Sequence, residues 1–94
     1  MKVYHLSPYR NRDYINQVGL IANSRMCGPY THGQRVCVSL SLNDLAFKEV
    51  GRRNVDLWSI EIDEKIIQQD EHSPKDYYVE QNIKKEFIKL EKSF

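Results

Sequence analysis

The chain has 94 residues, 40% of them hydrophobic and 29% charged, which is typical of one small folded domain rather than a disordered segment. Its formal net charge of +1 argues against a strong sequence-independent grip on nucleic acid, because such binding is mostly phosphate neutralisation. Two cysteines are too few for a disulfide-stapled mini-protein, and no apolar run is long enough to span a membrane. We therefore expect a cytoplasmic protein with a single domain over residues 1–94.

The first segment predicts a strand followed by a short helix. Lys2–Ser7 alternates between two faces, as a strand does. Asn11 or Asp13 is expected to cap a helix that runs through Val18. Gly19 suits the position after the last helical turn, where a left-handed backbone is common.

The middle of the chain predicts a long loop, a second strand and a second helix. Residues 23–34 contain glycine and proline between polar side chains, so we expect a loop that is functional rather than idle. Residues 35–40 alternate as a strand. Ser41 or Asn43 is expected to cap a helix that stops at Gly51.

The second half predicts three further strands, over residues 55–62, 77–81 and 86–90. The polar residues 63–75 are expected to form an exposed connection. Lysines late in the chain predict a solvated sheet edge that discourages aggregation. They are Lys84, Lys85, Lys89 and Lys92. Helices early and strands late predict an α+β domain.

Polar groups stand among apolar neighbours in three of these segments. His5 can donate a hydrogen bond to a ligand hydroxyl from one ring nitrogen while the protein holds the other, or it is a partly buried core histidine. Ser39 can bind ribose, whereas Ser41 is also explained as a helix cap. Asp76 and Glu80 share one strand face, where a carboxylate can hold ribose and stabilise positive charge at a sugar carbon. The alternative for both acids is an ordinary surface position.

Several common chemistries find no support in the sequence. The serine-hydrolase elbow, the P-loop and the Gly-x-Gly-x-x-Gly dinucleotide fingerprint are all absent. Cys27, His32 and Cys37 raise the question of zinc, but their spacing matches none of the paired-ligand motifs, so no metal site is predicted. Arginines in the first half, among them Arg25 and Arg35, favour an anionic ligand such as a dinucleotide.

Taken in order, these segments resemble the ADP-ribosyltransferase superfamily, in particular its small histidine-type members. Tyr4-His5-Leu6-Ser7 and the later Gly19-Leu20 pair resemble the opening strand and the end of the helix that follows it. Val36 to Ser41, followed by Leu45-Ala46-Phe47, is similar to the central strand and helix of the family. Asp76-Tyr77-Tyr78-Val79 resembles the late carboxylate that leads into an apolar strand.

The resemblance implies two small packed sheets, antiparallel or mixed, that form a cleft with two short helices and bind NAD as co-substrate. It implies that His5 holds the ribose beside nicotinamide and that Asp76, or Glu80 in a shifted register, promotes departure of nicotinamide. The remaining ligand contacts it implies are Ser7, Arg25, Tyr30, Arg35, Ser39 and Phe47.

The implied activity is transfer of ADP-ribose from NAD to a macromolecule, with a protein target favoured over a nucleic acid. The alternative is an inactive relative that serves as a nucleotide-binding, protein-interaction or inhibitor module. A domain of this size suits a toxin or a phage effector.

Overall fold

The computed structural model describes residues 1–22, 35–42, 54–69, 71 and 77–94. Within these ranges the regular elements are β1 (Lys2–Pro8), α1 (Arg12–Val18), β2 (Val36–Val38), β3 (Val55–Glu61), β4 (Gln68–Gln69), β5 (Tyr77–Val79) and β6 (Ile88–Ser93). Short 3-10 turns cover Tyr9–Asn11, Glu64–Ile66 and Lys85–Phe87. None of the helices in the described part of the chain has the length and apolar character needed to cross a membrane.

The strands form two three-stranded antiparallel sheets. The first sheet has the order β1-β3-β6 and the second has the order β2-β5-β4. Among the described residues, an antiparallel bridge joins the sheets, because Tyr4 and Ser39 exchange backbone hydrogen bonds of 2.9 and 2.8 Å. The prediction of an α+β domain with two small sheets is therefore confirmed, and the strand pairs within the described ranges are all antiparallel.

The core lies on one face of the first sheet and is set by the register between β1 and β3. Val3 pairs with Ile60, and two residues further along β1 His5 pairs with Trp58. Partners in an antiparallel pair project to the same face, so these side chains point together into the interior. The core cluster consists of Val3, Ile15, Leu20, Ala22, Val36, Val38, Trp58, Ile60, Val79 and Ile83. As the central strand, β3 buries six of its seven residues.

The turn after α1 requires a glycine. Gly19 has φ 83°, its N–H donates to the Ile15 carbonyl at 2.8 Å, and a Cβ there would overlap the Ile83 carbonyl oxygen. Leu20 then exchanges two backbone hydrogen bonds with Ile83. Glycine therefore allows the chain to leave α1 in close contact with the Ile83 backbone. The prediction that Gly19 follows the last turn of the helix is confirmed. Asn11 occupies the N-cap position but makes no capping hydrogen bond.

Two sequence-based predictions in the second half are corrected. Residues 63–75 are not only a connection, because Gln68 and Gln69 form β4 and pair with β5. Backbone pairing needs no particular side chain, so the polar sequence carried no sign of it. The last strand begins at Ile88 instead of residue 86 and continues to Ser93, which lies opposite Asp56.

β6 is an edge strand, which confirms the predicted solvated edge for Lys89 and Lys92, both exposed. The predicted loop over residues 23–34 lies outside the described residues. The predicted second helix starts at Ser41 or Asn43 and also falls almost wholly outside them.

Candidate functional site

His5 is the predicted site residue that the fold positions most firmly. It is 4% exposed, and its Nδ1 atom lies 2.6 Å from the carbonyl oxygen of Cys37 on β2. A carbonyl oxygen can only accept, so Nδ1 must carry the hydrogen of this bond. In the neutral ring Nε2 is then the acceptor nitrogen. One contact therefore sets both the tautomer and the orientation of the imidazole.

The bridge between the two sheets places β2 beside His5. Tyr4 pairs with Ser39, and Cys37 lies two residues before Ser39 on the same strand. We call this junction, formed by Tyr4, His5, Cys37 and Ser39, the seam. Ser39 is 3% exposed. His5 and Ser39, which were predicted from distant parts of the sequence, thus lie on neighbouring strands at this junction, with Ser39 on the sheet face of its partner Tyr4.

Arg35 extends the seam toward the second sheet. Its guanidinium carbon lies 3.9 Å from the centroid of the Tyr78 ring, whose hydroxyl donates to Gln68 Oε1 at 3.2 Å. The Nε atom of Arg35 is buried and has no hydrogen-bond partner within the described ranges. A guanidinium over an aromatic ring makes a cation–π contact and keeps N–H groups available for a further partner. Arg35 is therefore a pre-oriented cation that suits an anionic group.

The remaining predicted residues are distributed differently. Glu80 directly follows β5 and is exposed. Ser7 is buried opposite Asp56, and its hydroxyl accepts a hydrogen bond from Asn11 Nδ2 at 3.2 Å, some way along β1 from the seam. The predicted residues Asp76, Arg25, Tyr30 and Phe47 lie outside the described residues.

Sequence reasoning missed a buried ion pair on the core face of the first sheet. Asp56 is fully buried and accepts hydrogen bonds from Arg12 Nε at 2.8 Å, Arg12 Nη2 at 2.7 Å and the Ser93 hydroxyl at 2.7 Å. The Arg12 bonds hold the pKa of the Asp56 carboxyl below its usual value despite the opposing effect of burial. The sequence signal was an acidic residue on the otherwise apolar face of β3 that also carries Trp58 and Ile60.

This ion pair joins elements that are distant in sequence. Arg12 begins α1, Asp56 lies on the central strand and Ser93 ends the last strand, and Arg12 Nη2 also donates to the Ser93 hydroxyl at 2.8 Å. Both oxygens of the carboxylate accept hydrogen bonds from protein donors, so the cluster is explained as a structural clasp.

Cys37 is disulfide-bonded, and the second cysteine of the chain, Cys27, lies outside the described residues. A disulfide sulfur is not the thiolate that binds zinc. The described residues also hold no cluster of three or more metal-ligating side chains. Disulfides persist mainly in oxidising compartments, which stands against the predicted cytoplasmic location, and that location stays a prediction.

Two surface cavities lie apart from the seam. One, of about 320 Å³, has apolar walls from Ile62, Ile66, Ile83 and Phe87. The other, of about 460 Å³, is lined by residues from all three strands of the first sheet, among them Lys2, Ser59 and Glu91. Neither is lined by a predicted site residue, so the seam remains the candidate site.

No protein-family model, curated protein or solved structure matches this chain. The argument for function therefore depends on the residues of the seam and on the motifs in the sequence.

Proposed function

We propose that this protein is an NAD-dependent ADP-ribosyltransferase that modifies a macromolecule, with a protein as the favoured target. The observation that carries the proposal is the hydrogen bond between His5 Nδ1 and the Cys37 carbonyl. It presents Nε2 as the acceptor nitrogen of a neutral ring, and a ribose hydroxyl is the matching donor. This is the role that the resemblance assigns to His5.

The other residues of the seam support binding of the rest of NAD. Arg35, stacked on Tyr78, offers N–H groups with fixed directions to the pyrophosphate. Ser39 lies two residues after Cys37, whose carbonyl His5 contacts, and its hydroxyl is a second candidate for ribose. These contacts bind the co-substrate and hold it in register.

In the proposed reaction, the bond between ribose C1′ and the nicotinamide nitrogen breaks, and its electron pair leaves with neutral nicotinamide. An acceptor nucleophile forms a new bond to C1′ and loses its proton to solvent. Positive charge develops on the ribose as the first bond breaks, and a nearby carboxylate stabilises it. Asp76 is the favoured carboxylate, and Glu80 is the alternative.

The test measures nicotinamide release and transfer of labelled ADP-ribose in a cell extract. Three variants are compared with the native protein: His5→Gln, Asp76→Asn and Glu80→Gln. Glu64→Gln is the matched control, because Glu64 is an exposed acid remote from the seam in sequence. We expect loss of the catalytic carboxylate to slow release about 100-fold or more, while the control retains native activity.

Circular dichroism of each variant checks that the fold is intact. Native protein that neither binds NAD nor releases nicotinamide would rule out the proposal. If all three variants release nicotinamide as fast as the control does, His5, Asp76 and Glu80 are not residues of the active site.

A second candidate is a binding module without turnover. Glu80 is exposed, and its carboxylate makes no hydrogen bond or ion pair with the residues described, so nothing there orients it for catalysis. The oriented His5 and the stacked Arg35 serve binding equally well without chemistry. NAD or ADP-ribose affinity by calorimetry, combined with no nicotinamide release, would favour this function over transfer.

A further inference from the structure

Trp58 carries a buried donor that the fold does not use. The side chain is 1% exposed, and its indole Nε1 has no hydrogen-bond partner among the described residues. An indole nitrogen can only donate, so a bond requires an acceptor atom. Most buried polar groups in folded proteins have such a partner, and each exception requires an explanation.

Two other polar side chains on the same sheet face have protein partners. Ser7 accepts a hydrogen bond from Asn11, and Asp56 accepts three hydrogen bonds. The Trp58 N–H differs from them, because no described protein group accepts its hydrogen bond.

The position of Trp58 links it to the seam. It is the direct partner of His5 in the antiparallel register, which puts the two Cβ atoms about 5 Å apart on the core face. The apolar pair Val3 and Ile60 lies on one side of His5 and Trp58 along the sheet. The polar pair Ser7 and Asp56 lies on the other side. The His5 and Trp58 side chains thus leave the sheet side by side, at the point where apolar and polar core meet.

We propose that Trp58 is a ligand-binding residue whose indole N–H donates a hydrogen bond to an oxygen of NAD. This inference rests on the proposed function, because it adds a residue to the same site. Since Trp58 faces His5, the oxygen belongs to the nicotinamide-riboside half, as a ribose oxygen or as the carboxamide carbonyl. A hydrogen bond buried this far from water is electrostatically stronger than one at the surface.

The experiment replaces the N–H and leaves the shape of the side chain unchanged. Trp58 is the single tryptophan of the chain, so growth of a tryptophan auxotroph on benzothienylalanine exchanges this residue alone. That analogue has sulfur in place of the indole N–H. Protein containing 5-fluorotryptophan is the matched control, because it keeps the N–H. Trp58→Phe serves as an encoded second variant.

Calorimetry gives the dissociation constants of NAD and ADP-ribose, and urea unfolding followed by circular dichroism gives stability. We expect benzothienylalanine to weaken NAD binding about tenfold, the factor that one neutral hydrogen bond supplies. Stability without ligand should match that of the native protein, because no hydrogen bond within the protein is lost. The fluorinated control should bind as the native protein does.

The outcomes separate this inference from the proposed function. Native protein that does not bind NAD overturns both. Native protein that binds NAD, with equal affinity in the benzothienylalanine form, overturns the role of Trp58 alone. If the benzothienylalanine form is less stable but binds NAD with native affinity, the N–H contributes to the fold, and the proposed role of Trp58 in binding is again overturned. Weaker binding of both ligands supports a ribose oxygen, and weaker binding of NAD alone supports the carboxamide.

Discussion

Replacing Asp56 by asparagine should destabilise the protein strongly at neutral pH and much less in acid. The carboxylate is fully buried and accepts three hydrogen bonds of 2.7–2.8 Å, two from Arg12 and one from Ser93. Asparagine has the same shape but no charge, and it turns one acceptor oxygen into a donor that faces other donors.

The magnitude follows from these contacts. A hydrogen bond to a charged group contributes about 1.5–3 kcal/mol, and asparagine can keep at least one of the three. The loss is offset in part because a buried carboxylate no longer has to be desolvated. The Arg12 side chain is 38% exposed, so water can solvate the N–H groups that lose their partner. We therefore expect a loss of about 2 kcal/mol, or about 8–16 °C in melting temperature for a domain of this size.

The pH dependence comes from the lowered pKa of Asp56. A carboxyl whose pKa is lower in the folded state stabilises the protein fully above its unfolded pKa, about 3.9. That contribution is lost as the pH falls through the folded pKa. The difference in unfolding free energy between native protein and Asp56→Asn should therefore be constant from pH 5 to pH 8 and shrink below about pH 4.

Urea unfolding at pH 7 and pH 3, followed by the fluorescence of Trp58, measures this difference. Glu64→Gln is the control, because it removes the same charge from a side chain that is exposed. A loss below about 0.5 kcal/mol at pH 7, or a difference that persists unchanged at pH 3, would refute the assignment of Asp56 as an ionised clasp.

Two further predictions concern the backbone and the cysteines. Gly19→Ala should lower the free energy of unfolding by more than about 2 kcal/mol, because Gly19 has φ 83° and a Cβ would overlap the Ile83 carbonyl. As a control, Asn16→Ala at an exposed position of α1 should change the free energy of unfolding by less than about 0.5 kcal/mol in the same urea assay. Equal effects of the two substitutions would contradict the close approach of Gly19 to Ile83. Unreduced, denatured protein should show no free thiol with Ellman's reagent and two after reduction, since Cys37 is disulfide-bonded and the chain has two cysteines. A thiol before reduction would contradict the disulfide at Cys37.

The sequence predicted those strands and helix ends that are determined by residues a few positions apart. Alternation predicted β1 and β3, and the structure confirms that Val3 and His5 share one face of β1. Gly19 was predicted as the end of α1 because its conformation is a property of one residue. The strand at Lys89 and Lys92 was predicted as an edge because charge is retained where a strand meets water.

Of the candidate site, the sequence supplied His5, Ser39 and Arg35, but not their partners. His5 was expected to be held by the protein through one ring nitrogen, and the atom that holds it is the Cys37 carbonyl. A backbone carbonyl is present at every residue, so no pattern of residue types could point to it. The roles of Asp76 and Glu80 stay predictions.

The sequence by itself determined which residues are extended, where the first helix ends and which polar groups stand among apolar neighbours, because each depends on neighbours a few positions away. Only the tertiary structure decided that Asp56 meets Arg12 and Ser93 and that Trp58 faces His5. The period of a strand assigns each side chain to one of two faces, but strand order and register choose its partners. Strand order and register depend on how the whole core is buried, and no short segment of the sequence contains that information.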